Sequence, residues 1–529
     1  MAEEKKSSTL PFYSWMPKPL GILVFLQLYM SPVFSGGMNL YISPELVGDM
    51  GWMSEDVQMA FFSTAVGICV FPPIMLKYLT THRLKQTLLW GLTLMILGNI
   101  CVITTKWVPA LCLVCMMMGC LRVMMLVSLT FAVGPYLMNV DVINMFTVEP
   151  PPMTSEEKIE ASHGKGILML LLYIIILVYA YLSNWLYAWV AYHYQWRMSF
   201  VMVIGILLIS IVLVLATMET EPVKPDNKID WFIVLDTALM MGILVPMTFM
   251  LLYGKTLDWF DSKYITLACG IMLICLGLFV SRMTRSEFFN VGIFSYRNPS
   301  FAMLLFMMAM VCNTPASLIQ SYALITTNID NEQWAALFLW AIVGLVCGLL
   351  IALLLGRFRT HYRYVFALGF LLMCACHVYM YFQYQTDGLY ENLRLPMVLS
   401  YGGLMLLYPL VASYGMNHLP VKHFVGFVFV MILMRNTFAP ILGVSLLSNG
   451  MQERQQYYNT RLAENVDAQN PNMQAIGGVT PATTVLTYAS KAKQSGILAM
   501  RDISGITIYV TAGMALIALL FPYRKEDRV

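Results

Sequence analysis

MSFVMVIGILLISIVLVLATM, residues Met198–Met218, carries no charge from end to end. Apolar side chains surround it on every face, so neither a half-buried strand nor an amphipathic surface helix suits it. At 1.5 Å per residue such a helix covers about 30 Å, the thickness of a bilayer's hydrocarbon. The stretch decides the fold class: it crosses a membrane.

The same pattern recurs about fourteen times. The expected spans are Pro19–Tyr41, Met53–Tyr78, Gln86–Thr105, Val108–Leu137, Gly166–Tyr192, Met198–Met218, Trp231–Gly254, Tyr264–Val280, Ser300–Thr326, Trp334–Gly356, Tyr364–Tyr384, Pro396–Met416, Phe424–Leu447 and Ser504–Phe521. The runs are too long for barrel strands and do not alternate. Composition agrees. Of 529 residues 59% are hydrophobic and only 12% charged, and the mean hydropathy is +0.69. Soluble domains carry about 25% charge, so a large soluble enzyme, a disordered chain and a nucleic-acid binder are excluded. The net charge of +3 calls for no polyanion. Met1–Lys18 is polar and lacks a small-residue cleavage site, so it reads as a cytoplasmic tail, not a signal peptide.

Basic residues set the orientation. With the N-terminus inside, 20 of the 32 Lys and Arg fall on the cytoplasmic side and ten outside, five of those in one long loop. An even span count puts both termini inside. Three polar segments interrupt the pattern: a cytoplasmic insert Asn139–Lys165, a linker Thr220–Asp230 and an external segment Ser448–Ile503. The last reads as a solvated loop with partial helix around Met451–Val466. All 11 Cys lie in or beside apolar stretches. Cys112-x-x-Cys115 and Cys374-x-Cys376-His377 have metal-like spacing without a second pair, and read as small buried side chains.

Charge inside a span costs about 2.5–3.5 kcal/mol at the helix centre on insertion scales. Arg122 and Arg435 sit near the middle of the fourth and thirteenth spans, and Asp236 is the one carboxylate clearly inside a span. His377, Asn39, Asn99, Asn184, Asn313 and Gln320 complete the polar set. Two readings stay open. The arginines line a water-filled cavity that holds an anionic or polar substrate or gates protons, or they pair with carbonyls and Asp236 to fix packing. His377 reads first as a hydrogen-bonded core residue. Gly344-x-x-x-Gly348 permits close helix approach, and Gly402-Gly403 with Pro409 marks a flexible or broken helix. With no Gly-Lys-Ser/Thr phosphate loop and no metalloenzyme box, the expected energy source is an ion gradient. No cofactor is expected.

Leu257-Asp258-Trp259-Phe260-Asp261-Ser262, between the seventh and eighth spans, resembles the Leu-Asp-Trp-Phe-x-Ser signature of the fourteen-span drug:proton antiporters, the EmrB/QacA type of the major facilitator superfamily. Asp258, Trp259 and Asp261 carry that likeness. Arg122-Val123 resembles the family's motif-B arginine. Arg435-Asn436 with Gly443 resembles its Arg-Asn/Gln segment. Tyr194-Gln195-Trp196-Arg197 resembles its Tyr-x-Trp-Arg turn, and Ser448–Ile503 its external loop. Pro73–Lys85 departs from motif A, lacking its glycines and Asp. Ser183–Ala188 replaces the Gly-Pro-x-x-Gly-Gly of motif C. Phe34 stands where many members carry an acid, while Asn39 and Pro44 are kept.

The resemblance implies an all-α integral membrane protein of the major facilitator fold with 14 transmembrane helices. Two six-helix bundles, 19–218 and 300–521, flank an inserted pair at 231–280, with tails at 1–18 and 522–529. It also implies a proton-coupled exporter in the bacterial inner membrane, working with a periplasmic adaptor and an outer-membrane channel that meet the loop 448–503. The in-span charges favour an amphipathic or anionic small molecule, because a buried cation repels a cation. Arg122 and Arg435 are expected on opposite bundles. The alternatives are an accessory protein or enzyme that has lost transport, and an importer of an organic anion.

Overall fold

The computed structural model describes residues 11–13, 15–74, 84–138, 155–219, 231–282, 291–313, 315–326, 329–417, 419–464, 471–475 and 481–529. The linker 220–230, much of the insert 139–165, most of the motif-A segment and part of the external segment lie outside them. Helices follow in the order α1 Lys18–Phe34, α2 Ser43–Met50, α3 Ser54–Val70, α4 Leu84–Thr104, α5 Val108–Met138, α6 Ser155–His193 and α7 Trp196–Thr217. An extra pair, α8 Trp231–Tyr253 and α9 Lys263–Arg282, comes next. Then follow α10 Arg297–Cys312, α11 Pro315–Thr326, α12 Asn331–Arg357, α13 Tyr362–Gln383, α14 Arg394–Met416 and α15 Val421–Leu433. A π-helical turn, Met434–Phe438, leads into α16 Ala439–Ala463, and α17 Pro481–Leu520 closes the chain.

Among the described residues, 12 helices are long and apolar enough to cross a membrane. The other two expected spans correspond to shorter apolar helices, α1 and α10. Pro19–Tyr41 and Ser300–Thr326 are therefore not continuous helices. The first stops at Phe34 and resumes as the 3-10 turn Leu40–Ile42, and the second stops at Cys312 before α11.

The chain forms two compact units: Met1–Glu157, Leu171–Met303 and Gly415–Phe438 make one, and Lys158–Leu170, Leu304–Tyr414 and Ala439–Val529 the other. In the first, α3 and α5 meet backbone to backbone. A Cβ on Gly67 would collide with the Met116 carbonyl, and one on Gly119 with the Thr64 carbonyl. Small residues permit such closeness where the hydrophobic effect does not drive helices together. The pair α8–α9 packs on α3 through α8. The turn that joins the pair is tied down by Tyr253 donating to Asp56 and Thr256 donating to Glu55. The Tyr-x-Trp-Arg turn has a partner that sequence reading missed. Trp196 Nε1 donates to Asp49 at 2.9 Å and Arg197 pairs with the same carboxylate at 2.9 Å. Those partners hold the Asp49 carboxyl below its ordinary range, the Trp196 hydrogen bond most of all.

In the second unit, Gly344 and Gly348 of α12 lie against Val398 and Gly402 of α14. Gly402-Gly403 serves packing: α14 runs unbroken past Pro409. In the external segment the partial helix expected around Met451–Val466 is present as the end of α16, and the described residues from Pro481 onward are helical as well, not a solvated loop. Here α16 continues to Ala463 and α17 begins at Pro481, joined by Tyr458 donating to Asp502 at 2.9 Å. The residues 522–529 are not a free tail. Tyr362 and Val529 bond backbone to backbone with Asp527 and Thr360, and Val529 is fully buried.

The α3–α5 contact gives a direct test. Gly67→Val should cost about 1–3 kcal/mol by overpacking, read as earlier thermal unfolding of the purified protein. Gly48→Ala, where a Cβ meets nothing within 4 Å, should unfold no earlier than the parent. Equal unfolding of Gly67→Val and the parent would contradict the contact.

Candidate functional site

The apolar run that forms α1 ends in Ser35-Gly36-Gly37. Gly37 adopts φ +82°, where a side chain is strained, and a Cβ there would also meet the Thr64 hydroxyl at 2.5 Å. This break frees backbone groups, and hydrocarbon offers them no partner. Side chains from two other helices, α4 and α6, gather at the break instead. Tyr187 of α6 donates to the Phe34 carbonyl at 3.0 Å. Asn99 of α4 donates to Ser35 Oγ at 2.7 Å and to the Met95 carbonyl at 2.8 Å. Asn39 accepts from the Tyr41 amide at 2.9 Å and donates to Asn184 of α6 at 3.2 Å.

Arg122 of α5 points at the same break. A Cβ on Gly36 would stand 2.6 Å from its Nη1. Glycine at 36 thus leaves room for the guanidinium beside the backbone. The half-buried Arg122, Asn184 and the buried Asn39, far apart in sequence, converge around one interrupted helix. A guanidinium with amides nearby can hold a carboxylate through charge-assisted hydrogen bonds.

Arg435 belongs to the same compact unit as Arg122, although the sequence reading puts them on opposite bundles. The reason is its π-helical turn. Buried Thr437 donates to the Ala65 carbonyl at 3.1 Å and lies 2.8 Å from Cys69 Sγ, which binds the turn to α3. The Arg435 guanidinium sits over the Tyr173 ring of α6, 5.1 Å from its centroid. Single π turns inside α-helices recur at functional sites.

The second unit contains its own break, after Cys312. His377 of α13 is buried, with Nε2 3.3 Å from the Cys312 carbonyl and Nδ1 3.3 Å from Ser504 Oγ of α17. Next to it Asn313 accepts from Ser400 of α14 at 3.3 Å. Asp236 lies elsewhere: it pairs with Arg282 at 2.8 Å, joining α8 to α9. The signature residues build the turn of that hairpin. Asp258 and Trp259 take φ +55° and +52°, a conformation uncommon outside glycine. The Trp259 amide donates to the Gly254 carbonyl at 2.6 Å, and its ring covers Gly254, where a Cβ would strike it. No group of three or more metal-ligating side chains occurs among the described residues.

The helical arrangement resembles solved transporters. An autoinhibited POT family peptide transporter matches over 96% of this chain and 98% of its own, with TM-score 0.53 and 13% identity. A POT peptide transporter mutant bound to alafosfalin gives 0.55 and 15% over 96% and 99%. A POT family transporter bound to a thioalcohol-conjugated peptide gives 0.56 and 13% over 96% and 97%. No protein-family model matches the chain, and no curated protein does. At these identities the likeness shows the fold: a multi-pass membrane protein of the major facilitator fold.

The Asn39–Asn184 bond is testable by a double-mutant cycle. Asn39→Ala and Asn184→Ala should couple by about 0.6–1.7 kcal/mol, the range for hydrogen bonds between membrane helices, read from thermal unfolding. Strict additivity would contradict the bond.

Proposed function

We propose that this chain is a secondary active transporter that exports an amphipathic or anionic small molecule by alternating access, driven by a proton gradient. One observation carries the reading. The two short apolar helices, α1 and α10, each stop at a break lined by polar side chains. Interrupted segments at corresponding places in two halves point to substrate and ion sites in transporters. In our reading those halves are the bundles 19–218 and 300–521, with the pair 231–280 inserted between them to make fourteen spans. The hairpin turn at Asp258, Trp259 and Asp261 supports the drug:proton antiporter type.

Arg122 and Arg435 give the site its charge preference, and Asn39, Asn184 and Asn313 its orienting hydrogen bonds. An anion gains from a guanidinium in a low-dielectric site, while a cation is repelled. Asp236 is a structural partner of Arg282 in this reading and does not take part. The membrane is the bacterial inner membrane with both termini cytoplasmic, from the basic-residue bias. The helical extensions within 448–503 are where a periplasmic adaptor and an outer-membrane channel would be engaged.

Proteoliposomes test this. Under an imposed proton gradient, the full chain should move at least one of a panel of amphipathic carboxylates, carboxyfluorescein and cholate among them. Arg122→Ala and Arg435→Ala should each lower that rate roughly tenfold or more, the effect of losing a hydrogen bond to a charged group. Rates unchanged in both variants across the panel would overturn the anion reading.

A further inference from the structure

A proton-driven transporter needs a group that gains and loses a proton within the membrane, and this chain offers few. Asp236, the one carboxylate clearly inside an apolar stretch, is held by Arg282 at 2.8 Å. Six of the seven histidines, at 82, 163, 193, 361, 418 and 423, fall at or beyond the ends of the apolar stretches. His377 is the seventh.

Its surroundings accept two protonation states. The Cys312 carbonyl can only accept, so the Nε2 that faces it at 3.3 Å carries a hydrogen. The other nitrogen, Nδ1, faces Ser504 Oγ at 3.3 Å. That hydroxyl has a second acceptor within reach, the backbone carbonyl of His377 itself, at 3.4 Å. With a neutral ring, the Ser504 hydroxyl donates to the Nδ1 lone pair. When Nδ1 takes a proton it becomes a donor to Ser504 Oγ, and the hydroxyl hydrogen turns to the His377 carbonyl. No covalent bond breaks, and the only heavy-atom requirement is rotation of one hydroxyl. Each ring nitrogen keeps a partner in both states, which buried polar groups need.

We propose, resting on the transport reading above, that His377 is the proton-binding residue that couples the gradient to the break after α10. The link to conformation is the Cys312 carbonyl. A hydrogen bond from an imidazolium is about twice as strong as one from a neutral ring, so protonation tightens the hold of α13 on the end of α10 and deprotonation relaxes it.

Among the described residues, the titratable side chains close in the fold to His377 include the thiols of Cys312 on α10 and Cys376 on α13, and Tyr384 at the end of α13, whose ring packs on Tyr322 of α11 at 5.2 Å. The charged residues of α17 nearest Ser504 are turned to other partners. Arg501 lies over the Tyr381 ring at 4.6 Å, and Asp502 pairs with Arg454 at 3.8 Å. Neither competes for the imidazole proton.

Two measurements on the full chain test the proposal separately from transport itself. In lipid nanodiscs, protein labelled with 15N-histidine should show one ring, missing in His377→Gln, in the Nε2–H tautomer at about pH 8. It should gain the Nδ1 proton as the pH is lowered toward about 4. A ring that stays neutral across that range would overturn the proposal whether or not the chain transports anything. In proteoliposomes, the probe is the carboxylate that the parent carries best. The ratio of gradient-driven uptake to substrate exchange should fall roughly tenfold in His377→Gln, within the range of coupling between linked sites. Ser504→Ala, which leaves the imidazole in place, should lower it in the same direction. An unchanged ratio in both variants would overturn the coupling role, while parent exchange would still support the transport reading.

Discussion

Backbone amides and carbonyls freed within hydrocarbon have no solvent to bond with, and each one left unmet costs several kcal/mol. That constraint governs the two places where this chain interrupts a membrane helix. After Phe34 the Phe34 carbonyl is met by Tyr187 and the Tyr41 amide by Asn39, and after Cys312 its carbonyl is met by His377. The polar residues scattered through the apolar stretches are thus mostly gathered at two breaks. Arg122 is drawn to the first of them, where Gly36 leaves space for its guanidinium.

Close packing makes the breaks affordable in structural terms. Gly67 with Gly119 brings α3 and α5 together, and Gly344 and Gly348 bring α12 against α14. Rigid contacts of this kind fix where Arg122 and Ser400 point. The π-helical turn at Met434–Phe438 is the third irregularity. Thr437 fastens it to α3 by bonds to Ala65 and Cys69, and so fixes the place of Arg435.

Much of this was legible in the residues. Uninterrupted apolar runs placed the helices, since bilayer thickness sets their length, and the in-span arginines and amides named most of the polar set. The breaks were harder to see. Averaged hydropathy runs straight through Ser35-Gly36-Gly37 and Asn313-Thr314-Pro315, although Gly-Gly and the proline were the available signals. Pairings between residues distant in sequence, such as Asp236 with Arg282 and Trp196 with Asp49, left no local trace. The helical character of the external segment was legible only around Met451–Val466, where helix formers are many, because the polar extension of α17 shows no apolar period. His377 is the buried, hydrogen-bonded residue the sequence suggests, but nothing local reveals that Ser504 has two acceptors within reach.

We propose the interrupted helix beside Arg122 as a binding site for an anion. An experimental structure of the full chain in lipid, with a brominated amphipathic carboxylate bound, tests it most directly. Density for the carboxylate is expected about 3 Å from the Arg122 guanidinium, the length of a charge-assisted hydrogen bond, and alongside Asn39 and Asn184. Carboxylate density that lies away from Arg122, at the lipid-facing surface or elsewhere, would contradict it.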